Sequence, residues 1–139
     1  MKTDALVGVY RLVSLDAVRP NGEIATGWLG SKPTGLIVYD SAGYMSVQIM
    51  RGPRDDSRKD HYYAYFGTYE IETQTGTIVH HVQGSLHLNE VGMDYRQSFT
   101  LLEDQLVLTT AKHQVDGEER RNRLVWQRCT PTFGLPTAE

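Results

Sequence analysis

From His61 to Asn89 the chain reads HYYAYFGTYEIETQTGTIVHHVQGSLHLN, and polar and apolar positions alternate through most of it. A period of two is the signature of a strand with one face buried. Thr73-Gln74-Thr75-Gly76 breaks the alternation as a turn, and a second alternating run extends from Thr77 to Asn89. In that run Ile78, Val82, Leu86 and Leu88 share one parity, and His80 stands among them as the polar exception. Pairing Glu72 with Thr77 across the turn sets Tyr69 opposite His80 on the same face, with Cβ atoms about 5 Å apart.

The rest of the chain repeats this grammar. Val7–Val18 alternates for longer than most strands, but neither of its faces is cleanly apolar. Pro20-Asn21-Gly22 marks a turn, and Ile24–Trp28 is a short strand candidate in a Gly- and Pro-containing stretch. Thr34–Asp40 and Tyr44–Met50 form a hairpin around Ser41-Ala42. Pairing Asp40 with Gly43 there opposes Val38 to Met45 and Leu36 to Val47, which puts four apolar residues on one face. Arg51–Asp60 is a charged, exposed loop. The tyrosines after it, Tyr62, Tyr63 and Tyr65, either form a lid over a cavity or plug a core. Met93–Leu102 and Gln105–Thr110 form another hairpin, aligning Phe99 with Leu108 and Leu101 with Leu106, and Tyr95 and Gln97 share its inner face. Asn122–Arg128 closes the series, with Leu124 and Trp126 of one parity. About eight to ten short strands joined by sequential hairpins predict an all-β fold, and a closed up-and-down barrel leaves no sheet edge exposed.

Composition narrows the function. A chain of 139 residues fits one domain, spanning 1–139. The net charge of −3 offers no basic field for nucleic acid. Cys129 is the only cysteine, so neither an internal disulfide nor a cysteine metal cage is expected. No run is long enough to span a bilayer as a helix and the first residues lack a signal-peptide core, so the expected location is cytoplasmic.

Four stretches resemble the bacterial and fungal lipocalin-like domain family: LVGVYRLVS at Leu6–Ser14, GLIVYDSAGYMSVQIMR at Gly35–Arg51, YFGTYEIETQTGTIVHHVQGSL at Tyr65–Leu86 and LVWQR at Leu124–Arg128. The resemblance implies a calycin-type β-barrel that holds small hydrophobic molecules. It also brings in related barrels of biosynthetic clusters that act as cyclases or isomerases. The lipocalin signature of glycine, any residue and tryptophan reads Gly8-Val9-Tyr10 here. By resemblance, Tyr10 faces inward at the closed end and Arg128 of the last strand packs on it.

The inner faces together predict a ligand-binding lining of Leu36, Val38, Met45, Val47, Tyr65, Tyr69, His80, Tyr95, Gln97, Phe99 and Trp126, largely apolar with a few polar anchors. Three of these are candidate proton-transfer groups. His80 titrates near neutrality when unperturbed, and Tyr69 or Tyr95 would orient it or donate a proton. The competing reading is an ordinary core histidine held by a tyrosine. Metal binding is not expected: neighbouring His80 and His81 point to opposite faces, and His81 and His87 lie about 20 Å apart along an extended strand. The calycin resemblance alone leaves open a haem held by one histidine. No GxSxG elbow occurs, so nucleophilic catalysis finds little support, and without a GxGxxG or phosphate loop no nucleotide cofactor is implied and no cofactor is expected. Three candidate functions rank in order: binding of a small hydrophobic or aromatic molecule; a cofactor-free cyclase, isomerase or dehydratase of secondary metabolism; and a protein-interaction scaffold.

Overall fold

The computed structural model describes residues 5–52, 61–115 and 117–130. Its strands are β1 (Gly8–Val18), β2 (Ile24–Thr26), β3 (Thr34–Tyr39), β4 (Tyr44–Met50), β5 (Tyr62–Glu72), β6 (Thr77–Ser85), β7 (Asp94–Leu102), β8 (Gln105–Thr110), β9 (His113–Val115) and β10 (Glu118–Arg128), with a 3-10 turn at Leu88–Glu90. Eight of them form a closed antiparallel barrel in the order β1-β3-β4-β5-β6-β7-β8-β10, and β10 pairs back onto β1 from Tyr10↔Arg128 to Val18↔Arg121. The short β2 and β9 extend one rim, on β1 and β10 respectively. The loop read at Arg51–Asp60 lies outside the described residues from position 53 onward. Among the described residues no helix is long and apolar enough to cross a membrane.

Two β-bulges explain where simple alternation misleads. In β1 the register with β10 shifts between Leu12 and Ser14. Val13 is the extra residue and is 55% exposed, so the inward set changes from Tyr10 and Leu12 to Leu15 and Ala17. A bulge inverts parity beyond it, which is why neither face of Val7–Val18 is clean in sequence. In β6 the register with β5 shifts between Phe66 and Gly67, so Phe66 pairs with Gly84 and Gly67 with Val82. The alternating run therefore ends at Ser85 rather than at Asn89, and Leu86 and Leu88 lie outside the core; Leu88 is 86% exposed.

The β3–β4 register corrects a further expectation. Tyr39 pairs with Met45 and Ile37 with Val47, one residue away from the predicted alignment. The turn is longer than two residues: Asp40 N–H donates to the Tyr44 carbonyl at 2.9 Å, leaving Ser41-Ala42-Gly43 as the loop. Gly43 adopts φ 96°, the left-handed position that such a loop requires. The Asp40 carboxylate caps the loop by accepting from Ala42 N–H and Tyr44 N–H, each at 3.0 Å. A one-residue slip turns a whole strand over. Leu36 and Val38 consequently point outward, where Leu36 is 36% exposed, and Ile37 and Tyr39 replace them inside.

One end of the barrel is filled. Tyr10, Tyr39, Met45, Leu106, Tyr69 and Phe99 are buried there. The Arg128 guanidinium lies 4.8 Å from the Tyr10 ring centroid, a cation–π contact. Arg128 also donates to the carbonyls of Val7 and Ala5, both at 2.7 Å, and Tyr10 donates its hydroxyl to the Leu6 carbonyl at 2.7 Å. Gly8 suits this place, since its φ of 151° is one that residues with a side chain rarely adopt and a Cβ there would press on Arg128 Nη1.

Candidate functional site

The opposite end is hollow. A cavity of about 760 Å³ opens between Trp28, Tyr63, His87 and Met93, and descends to Ile37, Val47, His80, Leu108 and Trp126. That volume lies within the range of small-molecule sites. Most of the wall is aliphatic or aromatic, and it carries polar groups at two depths.

The deeper set centres on His80, which is fully buried. Tyr39 Oη lies 2.6 Å from its Nε2 and Tyr65 Oη 2.6 Å from its Nδ1; the Gln97 amide nitrogen is 3.2 Å from Nδ1. In a neutral ring one of these two nitrogens donates and the other accepts, so each can serve one phenol. Burial drives the histidine pKa down to about 3, with a smaller contribution from neighbouring His81, so the ring is neutral. Burial also raises the pKa of both tyrosines, so they stay protonated. The cluster is uncharged and internally hydrogen-bonded, as a buried polar network must be to avoid a large desolvation cost. Both ring nitrogens are engaged, so the histidine has no free lone pair for a haem iron, and the residues do not fit that group. Among the described residues no trio of His, Cys, Asp or Glu gathers as a metal site.

The shallower set centres on Glu90 in the 3-10 turn. Tyr63 donates to Glu90 Oε1 at 2.6 Å and Ser85 Oγ donates to the same oxygen at 2.9 Å. Ser85 can reach inward because the β6 bulge has inverted its parity. Partial burial of Glu90 raises its pKa, but the hydrogen bonds from Tyr63, Tyr95 and Ser85 outweigh this and hold the carboxyl below its ordinary range. Around it Trp28 packs edge-on against Tyr63 with centroids 6.4 Å apart, His87 stacks on Tyr63 at 5.5 Å, and Tyr65 meets Tyr95 edge-on at 5.6 Å.

Of the residues expected to line a pocket, Val47, Tyr65, His80, Tyr95, Gln97 and Trp126 meet at this cavity. Met45, Tyr69 and Phe99 are buried in the filled end instead. Leu36 and Val38 lie on the outer surface for the register reason above. Tyr69 does pair across the sheet with His80. Its hydroxyl, however, donates to the Asp40 carbonyl at 2.8 Å, and the histidine's phenol partners are Tyr39 and Tyr65. Sequence reasoning missed Tyr39, Glu90 and Trp28. Reading Gly43 as a left-handed loop residue would have turned Tyr39 inward. Glu90 lies past the end of a strand, in a turn that no periodicity marks. The tyrosines after the charged loop belong to β5, with Tyr65 in the core and Phe66 outside at 55% exposure. The indole N–H of Trp126 is buried with no acceptor among the described groups.

A family profile describing a lipocalin-like domain matches residues 7–129. The chain belongs to the lipocalin-like domain family. The match runs from the strand carrying Gly8 and Tyr10 to the end of the strand carrying Arg128, so this lipocalin-like domain includes the whole barrel, its closed end and its cavity. No curated protein and no solved structure matches it significantly. A lipocalin-like barrel suits the holding of a small ligand within it, and the cavity of this domain has the size and lining for one.

Proposed function

We propose that this lipocalin-like domain binds a small hydrophobic or aromatic molecule in its barrel. The observation that carries the reading is the cavity of about 760 Å³, walled mainly by apolar and aromatic side chains. Such a volume holds a molecule of one to three fused or linked rings, and removing its apolar surface from water contributes about 25 cal/mol per Å² before the costs of association. The neutral hydrogen-bonded His80 cluster gives the floor a fixed shape, which keeps the cavity preformed. Titration with N-phenyl-1-naphthylamine, a neutral fluorophore that brightens on leaving water, tests the reading. Saturable uptake of one probe per chain is expected, and Ile49→Trp, which puts an indole where Ile49 lines the cavity, should weaken it at least tenfold. Linear, unsaturable fluorescence, or uptake unaltered by a well-folded Ile49→Trp, removes the proposal.

One observation favours a second reading, a cofactor-free cyclase, isomerase or dehydratase. Tyr95, Tyr63 and Glu90 share hydrogen bonds at the cavity mouth, which is a carboxylate–phenol relay within reach of a bound molecule. On this reading Tyr95 and Glu90 transfer the proton. His80 and Tyr69 serve it less well, since a histidine held neutral down to about pH 3 is a weak base at neutrality and Tyr69 lies below the floor. Turnover of an identified substrate that survives Tyr95→Phe would eliminate the relay.

A further inference from the structure

We propose that the cavity mouth recognises an organic ammonium group, with Glu90 as counter-charge and the rings of Tyr63, Tyr95 and Trp28 around it. The molecule carried is then an apolar or aromatic body bearing a cationic nitrogen. This deepens the ligand-binding reading and rests on it.

The argument begins with the charge. Glu90 lines the cavity, and its named hydrogen-bond donors are all neutral: the hydroxyls of Tyr63, Ser85 and Tyr95. A carboxylate has about four acceptor sites. Three hydroxyl donors, two of them on Oε1, leave the carboxylate with acceptor capacity to spare. The cationic side chains of the rim are engaged elsewhere among the described residues: Arg96 pairs with Glu72, and Lys112 with Glu119 at 3.1 Å. The other rim carboxylate, Asp94, is taken by His81 at 2.6 Å. His87, stacked on Tyr63, acts on Glu90 through its electrostatic field and adds to the lowering of the carboxyl pKa.

A ligand entering the barrel covers this carboxylate and strips water from it. Desolvating an ionised carboxylate without a compensating partner is costly. A neutral apolar ligand leaves that cost uncompensated, and an anionic one adds repulsion. An ammonium offsets it with a charge pair of the opposite sign. The surroundings suit the same group, because the π faces of tyrosine and tryptophan attract cations and aromatic cages of such rings are used to hold ammonium ligands. Trp28 is 46% exposed and packs on Tyr63, so its ring is available to a ligand at the mouth.

The test uses the whole chain and three ligands that share one body: 2-naphthylmethylammonium, 2-naphthalenemethanol and 2-naphthoate. Each competes with bound N-phenyl-1-naphthylamine at pH 8, where the amine is charged. The ammonium should displace the probe roughly tenfold more tightly than the alcohol, in keeping with about 1.4 kcal/mol per decade, and the carboxylate should be weakest. Glu90→Gln, with its folding checked by thermal melting, should bring the ammonium to the affinity of the alcohol. If the probe binds but the alcohol matches or beats the ammonium, or if the preference persists in a folded Glu90→Gln variant, the proposal is overturned and the ligand-binding reading stands. If the probe does not bind, the ligand-binding reading itself falls.

Discussion

The barrel holds two tyrosine-rich polar clusters that differ in where their hydrogen bonds end. In the deep cluster Tyr39, His80, Tyr65 and Gln97 bond to one another, and the histidine is fully buried. In the shallow cluster Tyr63, Ser85 and Tyr95 converge on an ionised carboxylate that lines the cavity. The first is neutral because burial suppresses the only basic group. The second stays charged because neutral hydroxyls outweigh a partial burial. The same residue type therefore holds the barrel's shape at one depth and offers electrostatic character to a ligand at the other, and burial decides which. A buried histidine facing a tyrosine, taken alone, reads as chemistry; its two short bonds to Tyr39 and Tyr65 make it a structural tie.

The largest effect should come from cutting that tie. His80→Ala removes a packed ring and leaves Tyr39, Tyr65 and Gln97 without a shared partner. Buried cavities and orphaned donors together predict a loss on the order of 4 kcal/mol in chemical denaturation. A loss under about 1 kcal/mol would place the cluster's worth elsewhere.

The pH dependence sharpens the same contrast. The His80 pKa is about 3 in the folded barrel, against an ordinary histidine value of 6.5. Between those values the unfolded chain binds a proton that the folded one refuses, so stability falls as pH is lowered from 6.5 toward 3. The limiting slope is about 1.4 kcal/mol per pH unit. Denaturant midpoints measured from about pH 7 to about pH 4 should decline accordingly, and His80→Gln should flatten the decline relative to wild type. Equal slopes in the two proteins would mean that the ring is not held neutral. The smallest effect belongs to the mouth. Tyr63→Phe removes one hydrogen bond to a partly exposed carboxylate and should cost about 1 kcal/mol or less. A thermal melt showing a loss as large as that of His80→Ala would erase the distinction between the two clusters.

Much of the barrel was legible in the linear pattern. The β5–β6 pairing of Glu72 with Thr77 and the β7–β8 pairing of Phe99 with Leu108 can be read from alternation and a short turn, and the structure has both. Alternation failed where one residue was added to a strand or a turn. Val13 in β1, Gln83 in β6 and Gly43 in the β3–β4 loop each invert the parity of the residues beyond them, and each inversion moved side chains between core and surface. Leu36 and Val38 moved to the outer surface in this way, and Tyr39 and Ser85 turned inward.

The all-β class, the order of hairpins and an inward His80 were determined by the sequence itself, because a period of two and turn residues are local properties of the chain. The closed end was legible through resemblance, as Gly8, Tyr10 and Arg128 meet there. Tertiary structure alone decided which phenols hold the histidine and that Glu90 turns into the cavity mouth. Tyr39 and His80 are 41 residues apart, and Tyr63 and Glu90 are 27 apart. Such contacts depend on bulges, loop lengths and barrel closure acting together, and no local period encodes their sum.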